Sequence, residues 1–230
     1  MIADEHANGL NYLLFLPPNF AKEKKHPVLL FLHGSGGLNL NEKNIRGQSL
    51  GRMLSTPDFA AGVEHIVIIP MAPARPWSLH FPLVMALLDD KLAELGGDPS
   101  RVAVSGQSIG GNGTWELAAT NPDRFCAAAP VCGFAERDGS APPALISTLA
   151  SSRLPIWTFH AASDAAVKVE NTDVIVEALK AAGSSVKYTR YETAPPCVLD
   201  SGGEIVGHGS YELAYKDPEL WKWLLEQRRA

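Results

Sequence analysis

The chain alternates short apolar runs with longer segments in which apolar residues recur at helical spacing. Seven runs predict β-strands: Leu10–Leu16, Pro27–Leu32, His65–Ile69, Arg101–Ser105, Cys126–Val131, Pro155–Phe159 and Ser185–Tyr191. The run Pro27-Val-Leu-Leu-Phe-Leu32 has no polar side chain, which is typical of a strand covered on both faces.

Longer segments between these runs predict α-helices over Phe81–Leu95, Gly111–Thr120, Lys168–Ala182 and Asp217–Leu225. The first ends at Gly96-Gly97, a C-cap signal, and the last begins with Pro218, which is favoured in the first turn. Strands that alternate with helices predict an α/β fold, a mostly parallel sheet with helices on both faces. Two long connections, Gly133–Pro143 and Glu192–Gly207, are expected to be functional or mobile loops.

Length and composition favour one α/β domain over residues 1–230, with 46% hydrophobic and 20% charged residues. No apolar run approaches the ~18 residues of a membrane span. The N-terminal stretch has neither a basic nor an apolar region, so no signal peptide is predicted. The net charge is −5 with interspersed signs, and no basic footprint predicts nucleic-acid binding. Cys126, Cys132 and Cys197 have no metal or redox spacing, so we expect a reducing, cytoplasmic location. The sequence implies no metal or organic cofactor.

A candidate nucleophile lies in Gly106-Gln107-Ser108-Ile109-Gly110. The pattern G-x-S-x-G forms a tight strand-to-helix turn that projects the serine Oγ above the sheet. Here a predicted strand precedes it and a predicted helix follows it, as the motif requires. The same pattern also occurs as Gly47-Gln48-Ser49-Leu50-Gly51, but the polar segment before it does not predict a strand. We therefore favour Ser108 over Ser49.

A glycine-rich segment, Leu32-His33-Gly34-Ser35-Gly36-Gly37, follows the strongest predicted strand. Such a loop lets backbone N–H groups approach a ligand, and an oxyanion hole needs two donors aimed at the developing charge. We expect the N–H groups of Ser35 and Ile109 to be that pair. The alternative is a plain glycine turn.

A candidate acid, Asp164, follows the strand Pro155–Phe159, where a side chain lies at the active edge of an open α/β sheet. Its role would be to orient an imidazole. The alternatives are a solvated loop carboxylate or a helix cap, and Asp173 and Asp200 are rivals in poorer positions.

Among seven histidines, only His208 lies beyond the last predicted strand, between two glycines. The chain order Ser108, Asp164, His208 is the order expected of this site. His160 is the best rival, but it directly follows a strand, which favours a structural role.

These residues resemble the α/β-hydrolase superfamily. The resemblance is to small esterases near the dienelactone-hydrolase and phospholipase/carboxylesterase branches, and more closely to the predicted-peptidase or feruloyl-esterase-like group. It is carried by the two glycine-rich motifs together with Tyr12–Pro17, Asp98–Gly111, Gly113–Trp115, Asn121–Phe125, Pro130–Gly133 and Pro155–His160.

The resemblance implies a triad of Ser108, Asp164 and His208. It also implies that Trp77 forms a pocket wall, with ordinary core packing as the alternative. The elbow departs from the family pattern, because it reads Gln-Ser-Ile where relatives often have Leu-Ser-Met, and we expect Gln107 to add a polar group near the site. The first strands of the superfamily sheet look reduced, so we expect about seven strands. The segment Glu192–Gly207 looks longer than usual, which suggests a lid or pocket rim, and the length leaves no room for a large cap domain.

The sequence therefore predicts a serine hydrolase that cleaves a small-molecule carboxylic ester. A peptidase or amidase, a thioesterase and a lactonase remain open with the same triad. A ligand-binding protein on a hydrolase scaffold and a structural domain of a larger assembly are non-catalytic alternatives. The sequence leaves the oligomeric state open.

Overall fold

The computed structural model describes residues 2–7, 9–38, 42–47, 49–199 and 202–229. Ten strands lie in these residues: β1 (Ile2–Ala7), β2 (Leu10–Phe15), β3 (His26–Leu32), β4 (Ile66–Pro70), β5 (Gly97–Gln107), β6 (Ala127–Val131), β7 (Trp157–Ala161), β8 (Lys187–Tyr191), β9 (Cys197–Val198) and β10 (Glu204–Ile205).

The described helices are α1 (Glu42–Gly47), α2 (Ser49–Leu54), α3 (Pro57–Ala61), α4 (Phe81–Leu95), α5 (Ile109–Thr120), α6 (Pro143–Ser152), α7 (Glu170–Ala181), α8 (Ser210–Lys216) and α9 (Pro218–Glu226). Two 3₁₀ turns, Ser35–Gly37 and Trp77–His80, follow β3 and precede α4. No helix in the described ranges is long and apolar enough to span a bilayer.

Eight strands form one sheet in the order β1-β2-β4-β3-β5-β6-β7-β8. Strands β3 to β8 pair in parallel, whereas β2 is antiparallel to both β1 and β4. The predicted α/β fold with a mostly parallel sheet is confirmed.

The start of the sheet is more complete than expected, because β1 adds an eighth strand to the seven predicted. Its sequence, IADEHA, has no apolar alternation that would reveal a strand. It is an edge strand that pairs only with β2, from Ile2 opposite Phe15 to Ala7 opposite Leu10. Backbone hydrogen bonds to one neighbour do not require an apolar side-chain pattern, and the sequence signal was therefore weak.

Two apolar layers cover the sheet, and alternate residues of each strand supply them. Leu30 and Val104 pack with α4, α5, α6 and α7 on one face. Leu29 and Ala103 pack with α1, α2, α8 and α9 on the other face. This alternation explains the continuous apolar runs, since a strand buried on both faces has no solvent side.

The carboxyl ends of β5 and β7 meet at one edge of the parallel sheet. Ser108 follows β5 directly, and Asp164 lies in the loop after β7. His208 lies beyond β8, after a segment that contains the small β9–β10 hairpin. The topology thus brings together three side chains that are far apart in sequence.

Candidate active site

Ser108 occupies a sharp turn between β5 and α5. Its backbone has φ 56° and ψ −119°, a conformation that costs a non-glycine residue roughly 1–3 kcal/mol. Hydrogen bonds hold it on both sides: the Ser108 N–H donates to the Val131 carbonyl at 3.0 Å, and Asn112 N–H donates to the Ser108 carbonyl at 3.0 Å. Such strain is typical of a side chain that must project from the backbone.

The two glycines of the motif are required because backbone segments cross there. A Cβ on Gly110 would lie 1.9 Å from the Leu32 carbonyl oxygen, and one on Gly106 would lie 2.4 Å from the Gly110 carbonyl oxygen. Any larger residue would push α5 away from β3. The motif therefore places the start of α5 directly against the loop after β3.

The structure brings Ser108, His208 and Asp164 into one hydrogen-bonded line. Ser108 Oγ lies 3.0 Å from His208 Nε2, and His208 Nδ1 lies 2.8 Å from Asp164 Oδ2 and 3.0 Å from Oδ1. Because Nδ1 faces a carboxylate, it carries the hydrogen and donates it. Nε2 is then free to accept the hydrogen of the serine hydroxyl.

Asp164 is held by backbone and side-chain donors. Its Oδ1 accepts hydrogen bonds from Ala166 N–H at 2.8 Å and Val167 N–H at 2.9 Å. Burial alone would raise the pKa of the Asp164 carboxyl, but hydrogen bonds from His160 and His208 outweigh it and lower the pKa to about 2. The carboxylate is consequently ionised at any pH at which an imidazole titrates.

His160 lies behind Asp164 and is fully buried. Its Nε2 is 3.2 Å from Asp164 Oδ2 and 2.9 Å from the Val167 carbonyl, while Nδ1 is 2.7 Å from Thr172 Oγ1. Since Nε2 faces only acceptors, it must donate a hydrogen. The sequence favoured a structural role for His160, and its contacts place it in support of the acid. No local pattern in the sequence indicated this contact, because His160 lies in β7 and Asp164 in the loop after it.

Ser35 and Ile109 are each the first residue of a helical segment, the 3₁₀ turn after β3 and α5. The N–H of a first helical residue has no acceptor within its own helix. Both residues line the cavity that contains Ser108. The helix dipole of α5 adds partial positive charge at the same point. Two backbone donors are thus available for a developing negative charge, although their role stays a prediction.

His33 fixes the loop that carries Ser35. Its Nδ1–H donates to the Gly34 carbonyl at 2.7 Å, and its Nε2 accepts from Ala72 N–H at 3.0 Å. Burial lowers the pKa of His33 to about 4, so the ring is neutral near pH 7 and keeps both hydrogen bonds.

Gln107 lines the cavity, but its side chain is engaged with the protein. Ser49 Oγ donates a hydrogen bond to Gln107 Oε1. A Cβ on Gly34 would lie 3.5 Å from Gln107 Cγ, so the side chain also supports the loop after β3. Ser49, from the second G-x-S-x-G pattern, therefore lies next to the site, and its hydroxyl fixes the Gln107 side chain by a hydrogen bond. Sequence reasoning missed this contact, since only packing brings α2 beside β5.

Trp77 is buried and packs against the loop after β3. Its Nε1–H donates to the His33 carbonyl at 3.1 Å, and its ring lies 4.8 Å from the His33 ring. It lines a side cavity of about 200 Å³ that adjoins the larger one. These contacts are those expected of ordinary core packing, and a role of Trp77 in substrate binding stays a prediction.

Of the two rival acids, Asp173 is hydrogen-bonded outside the triad. Asp173 on α7 accepts hydrogen bonds from Tyr188 Oη–H at 2.7 Å and from Arg190. Asp200 lies outside the described residues.

Ser108 and His208 line an open cavity of about 890 Å³. Its lining includes apolar side chains from the β9–β10 hairpin and α7, and charged side chains from the loops after β4 and β6. The predicted rim segment Glu192–Gly207 thus borders the cavity. A volume of this size accommodates a small organic molecule.

Within the described residues, one group of metal-ligating side chains lies close together: Cys132, Asp164 and His208, with ligand atoms within 4.8 Å. Asp164 and His208 already bind each other. Burial and the charge of Asp164 raise the pKa of the Cys132 thiol to about 12, so it is protonated near pH 7. The group is a poor metal site in this arrangement, because metal binding needs the thiolate.

Comparisons with known proteins identify the family and relatives of the same fold. Residues 14–197 match the profile of the dienelactone hydrolase family. The carboxylesterase NlhH of Mycobacterium tuberculosis is 33% identical over 92 residues, which are 37% of this chain and 27% of that protein. The chain thus spans about a quarter of that relative's length.

Solved structures have the same fold. A thermostable esterase has a TM-score of 0.76 and 28% identity over all of this chain and 63% of its own. A ferulic acid esterase has a TM-score of 0.69 over 96% of this chain and 97% of its own, and at 16% identity the likeness shows the fold alone.

Proposed function

The chain belongs to the dienelactone hydrolase family, and on that premise we propose that it is a serine hydrolase that cleaves carboxylic esters through an acyl-enzyme on Ser108. The observation that carries the proposal is the hydrogen-bonded line from Ser108 Oγ to His208 Nε2 and from His208 Nδ1 to Asp164. A hydroxyl aligned with a base that is itself oriented by a carboxylate is the signature of an activated nucleophile.

In the first half of the reaction, His208 Nε2 takes the Ser108 proton as Oγ attacks the acyl carbon. Asp164 holds the tautomer that leaves Nε2 free and stabilises the imidazolium. The carbonyl oxygen gains the negative charge, and the N–H groups of Ser35 and Ile109 are the proposed donors to it. The bond to the leaving oxygen then breaks, and the imidazolium returns the proton to that oxygen to release an alcohol.

Water repeats the sequence on the acyl-enzyme. His208 accepts a proton from the water, hydroxide adds to the acyl carbon, and Ser108 Oγ leaves with that proton as the acid departs. Ser108 and His208 carry every proton transfer of both half-reactions. Amides, thioesters and lactones react through tetrahedral intermediates of the same kind, so substrate fit and protonation of the leaving group decide among them.

The test is hydrolysis of a panel of aryl and alkyl esters, one amide and one thioester by matched serine variants. Ser108→Ala should lower kcat by about 10⁴-fold or more, because the nucleophile is removed. Ser49→Ala should retain most of the activity, since the Ser49 hydroxyl donates to Gln107 and takes no part in the proposed proton transfers. Loss of turnover in Ser49→Ala with an active Ser108→Ala would overturn the assignment, and amide cleavage above ester cleavage would favour a peptidase or amidase.

A further inference from the structure

Exposed apolar side chains gather at the mouth of the cavity that contains Ser108. Val198 is 61% exposed, Leu199 is 41% exposed and Val174 on α7 is 40% exposed, and all three line the cavity. With Ile205, which also lines it, they form a surface named here the apolar wall. Large apolar groups left exposed at a concave surface are typical of a ligand site, because a ligand displaces the water that covers them.

Hydrogen bonds fasten the segment that carries the wall to the loops of the triad. Gly209 N–H donates to the Pro195 carbonyl at 2.8 Å, directly after His208. Ala165 N–H, next to the acid in sequence, donates to the Val206 carbonyl at 3.0 Å. The hairpin is therefore anchored at the imidazole and the acid.

The connection from the hairpin to the base is also sterically fixed. Gly207 has φ +70°, and a Cβ there would lie 2.2 Å from the Ser163 carbonyl oxygen. The chain thus passes tightly against the acid loop between Ile205 and His208. His208 N–H donates to the Ile205 carbonyl at 3.4 Å, and Val198 pairs with Glu204 of β10, so the hairpin borders the cavity beside His208.

Proton transfer to the leaving oxygen determines which half of the ester lies beside His208. His208 Nε2 must deliver its proton to the leaving oxygen, so this oxygen lies within hydrogen-bond reach of the imidazole when its bond to the acyl carbon breaks. The carbonyl oxygen lies instead at the N–H groups of Ser35 and Ile109. The group attached to the leaving oxygen therefore extends from the imidazole along the apolar wall.

We infer that the apolar wall binds the alcohol portion of the substrate, and that the substrates are esters of apolar alcohols with medium alkyl chains or an aryl group. The inference rests on the proposed serine-hydrolase function. It makes Val198 and Leu199 determinants of leaving-group specificity.

The experiment varies the two halves of the ester separately. One series keeps acetate and lengthens the alcohol from ethyl to hexyl, and the other keeps the ethyl alcohol and lengthens the acyl group from acetyl to hexanoyl. Every member of the first series gives the same acyl-enzyme, so kcat/KM compares acylation alone. Burial of one methylene is worth up to about fourfold, and we expect kcat/KM to rise about two- to fourfold per methylene in the alcohol series.

Matched substitutions separate the wall from the rest of the hairpin. Val198→Ser and Leu199→Ser should each lower kcat/KM for hexyl acetate about five- to tenfold and for ethyl acetate by a smaller factor, because ethyl covers less of the wall. Val206→Ser is the control, because Val206 is 65% exposed in the same segment but is not among the described residues that line the cavity. It should keep kcat/KM for both esters, and circular dichroism checks that all three variants are folded.

The kinetic results distinguish the leaving-group assignment from the hydrolase proposal. A flat alcohol series in an active enzyme, or Val198→Ser and Leu199→Ser variants that affect only the acyl series, would overturn the leaving-group assignment and leave the hydrolase proposal standing. An enzyme that cleaves no ester and whose Ser108 is not labelled by a fluorophosphonate would overturn both.

Discussion

His160 shows how a residue remote from the nucleophile takes part in the geometry of the base. It donates from Nε2 towards Asp164 Oδ2 at 3.2 Å and the Val167 carbonyl at 2.9 Å. The backbone donors that also bind Asp164 fix only Oδ1. The orientation of Oδ2, which His208 contacts most closely, therefore depends on His160.

Replacing His160 should weaken this orientation. His160→Leu removes a buried hydrogen bond to a charged group, which costs about 1.5–3 kcal/mol of stability, and we expect kcat/KM for an aryl ester to fall about tenfold. His160→Gln keeps an N–H donor and should lose less. Kinetics at pH 7.5 on variants whose fold is verified by circular dichroism measures the effect, and an unchanged kcat/KM in His160→Leu would show that Asp164 needs no support.

At the scale of elements, the site is built where β3, β5 and α5 cross. Gly110 lies so close to the end of β3 that a Cβ would meet the Leu32 and His33 carbonyl oxygens at 1.9 Å and 2.7 Å. Both contacts are with backbone, so no side-chain rotation relieves them. The same crossing sets the separation of the two proposed oxyanion donors.

Gly110→Ala should consequently destabilise the protein by about 3 kcal/mol or more and abolish esterase activity. Gly47→Ala is the matched control, since nothing lies within 4 Å of a Cβ at that position. Chemical denaturation of both variants tests the expectation. Equal free energies of unfolding for Gly110→Ala and Gly47→Ala would contradict the close approach of Gly110 to the end of β3.

The sequence predicted those elements whose residues carry a strong local signal. Strand β3 and helix α4 match their predicted bounds within a residue, because a continuous apolar run and a glycine C-cap define them. Helix α6 was not predicted, since only Ile146 and Leu149 are buried and leave too narrow an apolar stripe. Helix α8 is too short for its periodicity to be read.

The sequence indicated the three main residues of the candidate site but not the contacts that support them. Motif context and chain order were enough to select Ser108, Asp164 and His208, which the structure brings together. The Ser49–Gln107 contact joins residues 58 apart in sequence. Only tertiary packing creates it, so no local pattern could have revealed it.

At the scale of the whole molecule, buried imidazoles link stability to pH. Burial lowers the pKa of His33 to about 4, and burial with the charge of Arg101 lowers that of His65 to about 3. Both rings are neutral in the folded chain but gain a proton in the unfolded chain below about pH 6.5. The unfolded state then binds more protons, so the free energy of unfolding falls as the pH drops from 6.5 towards 4 and 3.

Urea denaturation should show this loss, at about 1.4 kcal/mol per pH unit for each imidazole below pH 6.5. Neither ring nitrogen of His65 has a hydrogen-bond partner among the described residues. His65→Phe should therefore raise stability at pH 7.5 by about 1 kcal/mol and reduce the loss between pH 7.5 and 5 by about half. If His65→Phe loses as much free energy of unfolding between pH 7.5 and 5 as the unsubstituted protein, His65 is not a source of the pH dependence.

The proposed function requires that the fold activates Ser108 above the other serines of the chain. Treatment with a fluorophosphonate probe, followed by peptide mapping of the added mass, tests it most directly, with heat-denatured protein as the control. We expect label on Ser108 in the native protein only, because the probe reacts with a serine whose base is aligned. Label on Ser49, or no label on native protein, would contradict the account.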